Sequence, residues 1–166
     1  LGMMLPRVFV GTMYSGEGDF VHCIDSVQSQ RDVEVTHHVI SRLPEKEAHN
    51  ALWRAWREAK ETHNPFVKLD ADTTLANEFI LSEIWKIMSG DPRITGLQAP
   101  LADFFTDGHI NGLNCFTPKV VFNDTASDLY CDRDVDVNHD IVIKGNAVPH
   151  AIRPAGFHCY HAAFPQ

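Results

Sequence analysis

The first ninety residues alternate short β-branched, apolar runs with longer stretches whose apolar residues recur at helical spacing, and this alternation constrains the fold more than any other feature. Residues 7–13 predict a buried strand through Val8, Phe9 and Val10, ended by Gly11 and Gly16. A helix is expected from Asp19 to about residue 30, with Phe20, Cys23, Ile24 and Val27 on its inner face. Residues 33–41 read as a second strand. Pro44 suits the first turn of a second helix running to about residue 62, with Ala48, Leu52, Ala55, Trp56 and Ala59 facing inward. After Asn64-Pro65, Phe66-Val67-Lys68-Leu69 is a third strand that runs straight into Asp70. Thr73 or Thr74 is placed to cap a third helix over 75–88.

A β-α-β-α-β-α order of this kind predicts an α/β fold with helices covering a parallel sheet. Beyond residue 90 the order loosens, with strands expected at 94–99, 112–116, 141–144 and 148–152. The expectation is a three-layer α-β-α domain over residues 1–166, with a mixed, mostly parallel central sheet. No internal repeat divides it.

Charge narrows the function. The net charge is −8, and residues 70–140 alone hold 13 acids against 4 Lys/Arg. An acidic middle argues against a nucleic-acid groove, which needs a basic stripe. It suits a chain that takes a divalent cation and reaches an anion through it. No run approaches the roughly 18 apolar residues of a membrane span, so the expected compartment is cytoplasmic. Cys23, Cys115, Cys131 and Cys159 form no C-x-x-C pair, which reads as free thiols.

The strongest local feature is Leu69-Asp70-Ala71-Asp72. Two carboxylates at the end of a buried strand lie where parallel sheets place ligands, and one intervening residue lets a turn aim both at one cation. Mg²⁺ and Mn²⁺ favour such oxygen ligands and fill their shells with water and phosphate oxygens. Other D-x-D pairs exist at Asp132/Asp134 and Asp134/Asp136, but Val137 and Ile143 occupy the positions where an EF-hand needs Gly and Glu. In the tail, Gly156-Phe157-His158-Cys159-Tyr160-His161 offers imidazoles for coordination and aromatic groups for docking. With Cys159 these histidines are equally suited to a structural Zn²⁺, for which one local cluster supplies too few ligands. Trp56 and Trp85 are expected to pack against the sheet.

These motifs, taken in order, resemble the inverting, family 2 type of glycosyltransferase with the GT-A (nucleotide-diphospho-sugar transferase) fold. The family's strand ending P-T-Y is similar to Gly11-Thr12-Met13-Tyr14, and its C-L-x-S-V-x-x-Q helix to Cys23-Ile24-Asp25-Ser26-Val27-Gln28-Ser29-Gln30. A-R-N-x-G is matched by Ala48-His49-Asn50-Ala51-Leu52, and L-D-A-D by Leu69-Asp70-Ala71-Asp72. E-D-x-D-L resembles Arg133-Asp134-Val135-Asp136-Val137, with Gly145 beyond it. Two departures stand out: the second strand ends Ser41-Arg42 where the family has D-D-G-S, and Arg133 replaces the glutamate before Asp134.

The resemblance implies a metal-dependent glycosyltransferase taking a UDP- or GDP-sugar donor, with residues 1–90 as the nucleotide half and 91–166 as the acceptor and metal half. It implies Thr12 and Asn50 at the donor, and Asp72 with Asp70 holding Mn²⁺ or Mg²⁺ against the diphosphate. It places Asp134 as the base toward an unspecified acceptor, and His158 or His161 as a further metal ligand. A nucleotidyltransferase of similar architecture is disfavoured by the absence of Lys or Arg between Gly11 and Gly18. A non-catalytic binding domain of the same fold is the remaining rival.

Overall fold

The computed structural model describes residues 4–128, 135–136 and 139–161. β1 (Arg7–Tyr14) is the first strand of the sheet, and α1 (Phe20–Gln28) follows it. β2 (Glu34–Ser41) pairs parallel to β1, with Val8 opposite Val35 and Thr12 opposite Val39. α2 (Glu45–Ala59) leads to β3 (Phe66–Lys68), parallel on the other edge of β1. These elements agree with the sequence expectation to within a few residues at each end.

The alternation of side chains along β1 feeds two cores. Val8 and Val10 enter a cluster with Cys23 and Val27 of α1 and with Ile80, Leu81 and Ile84. Phe9, on the opposite face, joins Leu52, Trp53 and Trp56 of α2 together with Phe66 and Phe122. Helices therefore lie against both faces where β1 sits, as a strand with both faces buried requires. Each such buried Val, Leu or Phe contributes on the order of 1.5–3 kcal/mol.

After β3 the chain departs from the expected pattern. Thr73–Leu75 is a strand, β4, rather than the first turn of a helix. The third helix, α3 (Ile80–Ser89), begins only after Phe79. Neither threonine caps it; both hydroxyl oxygens are buried in the sheet without a hydrogen-bond partner. β5 (Ile94–Asp103) and β6 (Gly108–Phe116) form a long antiparallel hairpin, and β6 joins the hairpin to β3, again antiparallel. β7 (Val121–Phe122) and β8 (Val135–Asp136) make a separate two-stranded ribbon.

The far edge of β5 is shared by two short strands. β9 (Ile141–Ile143) runs parallel to its first part, and β10 (Gly156–His158) parallel to its last. Near the change of partner lies Pro100, which has no N–H to give and whose carbonyl accepts the Ala155 N–H at 2.9 Å. The expected strand over 148–152 is absent; Gly145–Ala147 and His150–Ile152 are single 3₁₀ turns, the second opened by Pro149. β10 pairs antiparallel with β4 on its other side, so the order is β2-β1-β3-β6-β5-β10-β4. Among the described residues the sheet is mixed, with parallel pairing in four of seven ladders. No helix among the described residues is long and apolar enough to cross a membrane.

Candidate functional site

The carboxyl ends of β1 and β3 open into a cavity of about 280 Å³ between the β1–α1 loop, the start of α2 and the turn after β3. Met13 and Ser15 form one wall, and the turn brings Asp70, Ala71 and Asp72 to the other. Glu17 and Glu45 add two more carboxylates, and among the described residues no Lys or Arg lines the space. The turn is closed by the Thr73 N–H donating to the Asp70 carbonyl at 3.0 Å. Near the cavity, the Arg42 guanidinium lies 5.3 Å from the centre of the Tyr14 ring, which stacks on Phe20 at 4.0 Å.

The register of β10 makes the rest of the site. His158 stands opposite Thr73 on one side and Asp103 on the other. Its Nδ1 lies 2.7 Å from Asp103 Oδ1, and its Nε2 lies 3.2 Å from Asp72 Oδ2. The next residue, Cys159, donates its backbone N–H to the Asp72 carbonyl at 2.9 Å. It adopts the left-handed region at φ 61°, a conformation costing an L-residue roughly 1–2 kcal/mol. Its Sγ lies 3.5 Å from Asp72 Oδ2 and 3.4 Å from His158 Nε2. Ligand atoms from Asp72, His158 and Cys159 thus fall within 4.8 Å of one another, an arrangement able to hold a metal ion.

The electrostatics of this group are those of a site rich in acceptors. Burial alone would pull the His158 pKa down, but the Asp103 hydrogen bond and the charges of Asp72, Asp103 and Asp70 outweigh it and raise the value. Asp103 is held below the usual carboxylate range, chiefly by its bond to His158 and further by Thr106. The Cys159 thiol is pushed up to about 12 by burial first, then by the charge and hydrogen bond of Asp72 and the charges of Asp19 and Asp103. Asp19 itself is wholly buried at the start of α1, and neither of its carboxylate oxygens has a hydrogen-bond partner. Asp72 Oδ1 is likewise buried and unpartnered. Uncompensated buried carboxylate oxygens are costly, and a cation between these groups answers that cost, so the residues present fit a metal.

The sequence-predicted residues are divided by the fold. Asp70 and Asp72 line the cavity, and His158 meets Asp72. Thr12, buried in the sheet, hydrogen-bonds His37 Nε2 at 2.8 Å. Asn50 clamps Thr125, giving its Nδ2–H to the Thr125 carbonyl at 3.0 Å and accepting the Thr125 N–H at 2.7 Å. Both polar atoms of its amide are thereby engaged with the Thr125 backbone. His161 stacks on His22 at 3.8 Å and stands outside the ligand group. Asp134 lies outside the described residues. The roles of Asp103 and Asp19 escaped the sequence reading, since neither lies in a motif. Cys159 was legible as a thiol beside histidines, but its carboxylate partner was not.

The fold is a mixed α/β arrangement with a cavity at the carboxyl ends of two of its parallel strands. No protein-family model matches the chain, and no curated protein sequence does. Among solved structures, A197 from STIV aligns with a TM-score of 0.47 at 14% identity, over 67% of this chain and 64% of that one. Mannosyltransferase PcManGT from Pyrobaculum calidifontis, in complex with GDP-Man and Mn²⁺, aligns at 0.46 and 16%, over 69% and 45%. A glycosyltransferase involved in glycosylation of the major capsid of PBCV-1 aligns at 0.43 and 16%, over 68% and 60%. The likeness is partial, and this chain spans less than two thirds of each of the three.

Proposed function

We propose that the chain is a metal-dependent glycosyltransferase domain of the GT-A type, taking a UDP- or GDP-sugar into the cavity beside Asp70 and Asp72. The observation that carries the reading is the meeting of the strand-end D-x-D with a tail histidine, His158, at a cavity bounded by the ends of β1 and β3. The four carboxylates that line the cavity repel a diphosphate by themselves. Asp72, assisted by Asp70, would hold a divalent cation, Mn²⁺ or Mg²⁺ by the family resemblance, with His158 as a further ligand. When bound there, such a cation would supply Lewis-acid neutralisation of charge on a departing nucleoside diphosphate.

The chain's own residues have separate tasks. Asp103 accepts from His158 Nδ1 and so orients the ring. Arg42 and the stacked Tyr14 and Phe20 offer the nucleotide one cation and an aromatic surface close to the cavity. Asp134 is the proposed base that takes the acceptor hydroxyl proton during an inverting attack.

Thermal stabilisation by UDP, GDP and their sugars, with and without a divalent cation, tests this. A ligand at 100 times its Kd adds about 2.7 kcal/mol. Stabilisation should require the cation and vanish in Asp72→Ala. Equal affinity in EDTA and in cation would sink the reading. In a transfer assay, Asp134→Asn should lose roughly 10²–10⁴-fold in turnover with donor binding intact; full activity would remove Asp134 as the base.

A further inference from the structure

We propose that Cys159 joins Asp72 and His158 as a thiolate ligand, so that the cation proposed above for this site is of the zinc class, four-coordinate with one open position, instead of the Mg²⁺ or Mn²⁺ that the family resemblance implies. The ligand set, an imidazole, a carboxylate and a thiolate, carries the assignment, and the separations are compatible with it. Zn²⁺ binds carboxylate oxygen at about 2.0 Å, imidazole nitrogen at about 2.05 Å and thiolate sulfur at about 2.3 Å. At tetrahedral angles those lengths set the O–N, O–S and N–S separations at about 3.3, 3.5 and 3.55 Å. The corresponding distances here are 3.2, 3.5 and 3.4 Å. An octahedral ion of the Mg²⁺ size would want its oxygen and nitrogen about 2.9 Å apart, and a thiolate is not among its ligands.

The surroundings support the same assignment. Asp103 Oδ1 accepts from His158 Nδ1–H, which leaves the Nε2 lone pair for the cation. Asp103 is fixed in turn by the Thr106 N–H, which donates to Oδ2 at 2.9 Å. This carboxylate–histidine pair is the outer shell that zinc histidines carry. The Cys159 backbone is pinned to Asp72 by its N–H and held in a left-handed conformation, and its Sγ already lies beside Asp72 Oδ2 and His158 Nε2. Asp72 Oδ1, buried and without a partner, is a donor that a cation at this position would also compensate.

Three protein ligands leave a fourth position open, the pattern of catalytic rather than structural zinc sites. Uptake of the ion displaces the thiol proton into solvent. That the open position takes a phosphate oxygen of the donor rests on the function proposed above; the ligand set does not.

Metal-free protein titrated with Co²⁺ tests the proposal without any activity assay. One equivalent should bring the intense visible bands of four-coordinate cobalt and a near-ultraviolet sulfur-to-cobalt charge-transfer band. Zn²⁺ should bleach both, and a large excess of Mg²⁺ should not. Cys159→Ser should lose the charge-transfer band and bind Co²⁺ at least tenfold more weakly, while Cys131→Ser keeps it. Asp103→Asn should keep the band and lose roughly 10–100-fold in affinity. Melting of each metal-free variant separates lost ligation from lost folding. The proposal falls if Co²⁺ gives only the weak six-coordinate spectrum, does not bind, is displaced by Mg²⁺, or keeps its sulfur band in Cys159→Ser. A sulfur band without nucleotide binding would instead overturn the donor reading and leave the metal site standing.

Discussion

The two flanks of β6 are built on opposite principles. On one side, β2, β1 and β3 are joined through helices and run parallel, and their side chains fill two apolar cores. On the other, β5, β10 and β4 are assembled from distant pieces, and the three-residue β10 is wedged between two strands of opposite direction. The bond from His158 to Asp103 spans 55 positions and that from Cys159 to Asp72 spans 87. Bringing such distant segments together costs loop-closure entropy that so short a strand repays poorly. The first flank holds the helix-covered strands and bounds the cavity, and the second brings Asp103, His158 and Cys159 to Asp72. Damage to the first should be felt mainly in the melting point, and damage to the second mainly in cation binding.

The largest effect should come from Trp56→Ala. Trp56 is fully buried, with ring centroids 5.8 Å from Phe9 and 5.2 Å from Phe66. Urea unfolding should show a loss of about 3–5 kcal/mol. A loss under about 1 kcal/mol, the scale of a surface change, would break the claim that damage to this flank is felt mainly in the melting point.

Gly156→Ala attacks the other flank. A methyl there would stand 2.6 Å from the Thr74 carbonyl oxygen, which is backbone and cannot swing aside. The expected cost is about 1–3 kcal/mol, with faster amide exchange at residues 73–75 and 156–158 and Co²⁺ binding lost. Unchanged exchange and unchanged cobalt affinity would show that β10 does not set the site.

Asn50→Ala sharpens the contrast, because the family resemblance assigns this residue to the donor and the fold makes it a clamp. Loss of its two bonds to Thr125 should cost about 1–2 kcal/mol, each bond being worth about 0.5–1.5, with nucleotide affinity unaltered. Weakened nucleotide binding at unchanged stability would restore the donor role.

A further effect on the first flank is a pH dependence from His37. Burial, and then the charge of His38, lower the His37 pKa from 6.5 to about 4. The unfolded chain therefore binds more protons there than the folded one, and stability rises with pH. His37 contributes in full above about pH 6.5 and loses its contribution as the pH falls through about 4. His37→Gln should flatten the melting curve across that window; an unchanged slope would remove His37 as its source.

Much of the first flank was legible because its signals are local. Val8-Phe9-Val10 marks a buried strand, the 3–4 spacing of Ala48, Leu52, Ala55 and Trp56 marks a helix face, and Asn64-Pro65 stops it. Each is written within a window of one element. Thr73 and Thr74 were misread for the same reason: by local chemistry they are good helix caps, and only pairing with Phe157 and His158 makes them a strand. Residues 148–152 failed the opposite way, since their β-branched character lost to turns opened by Pro149.

By itself, then, the sequence determined the strand–helix alternation and the placing of Asp70 and Asp72 at a strand end. Periodicity and turn chemistry act over a few residues and leave a trace in the order of residue types. The tertiary structure decided what those carboxylates meet. His158-Cys159 could face any acid in the chain until β10 took its register between β4 and β5, and that register put both side chains beside Asp72. Pairing across 87 positions carries no periodic signal, because hydrogen-bonded backbone looks alike whichever strand supplies it.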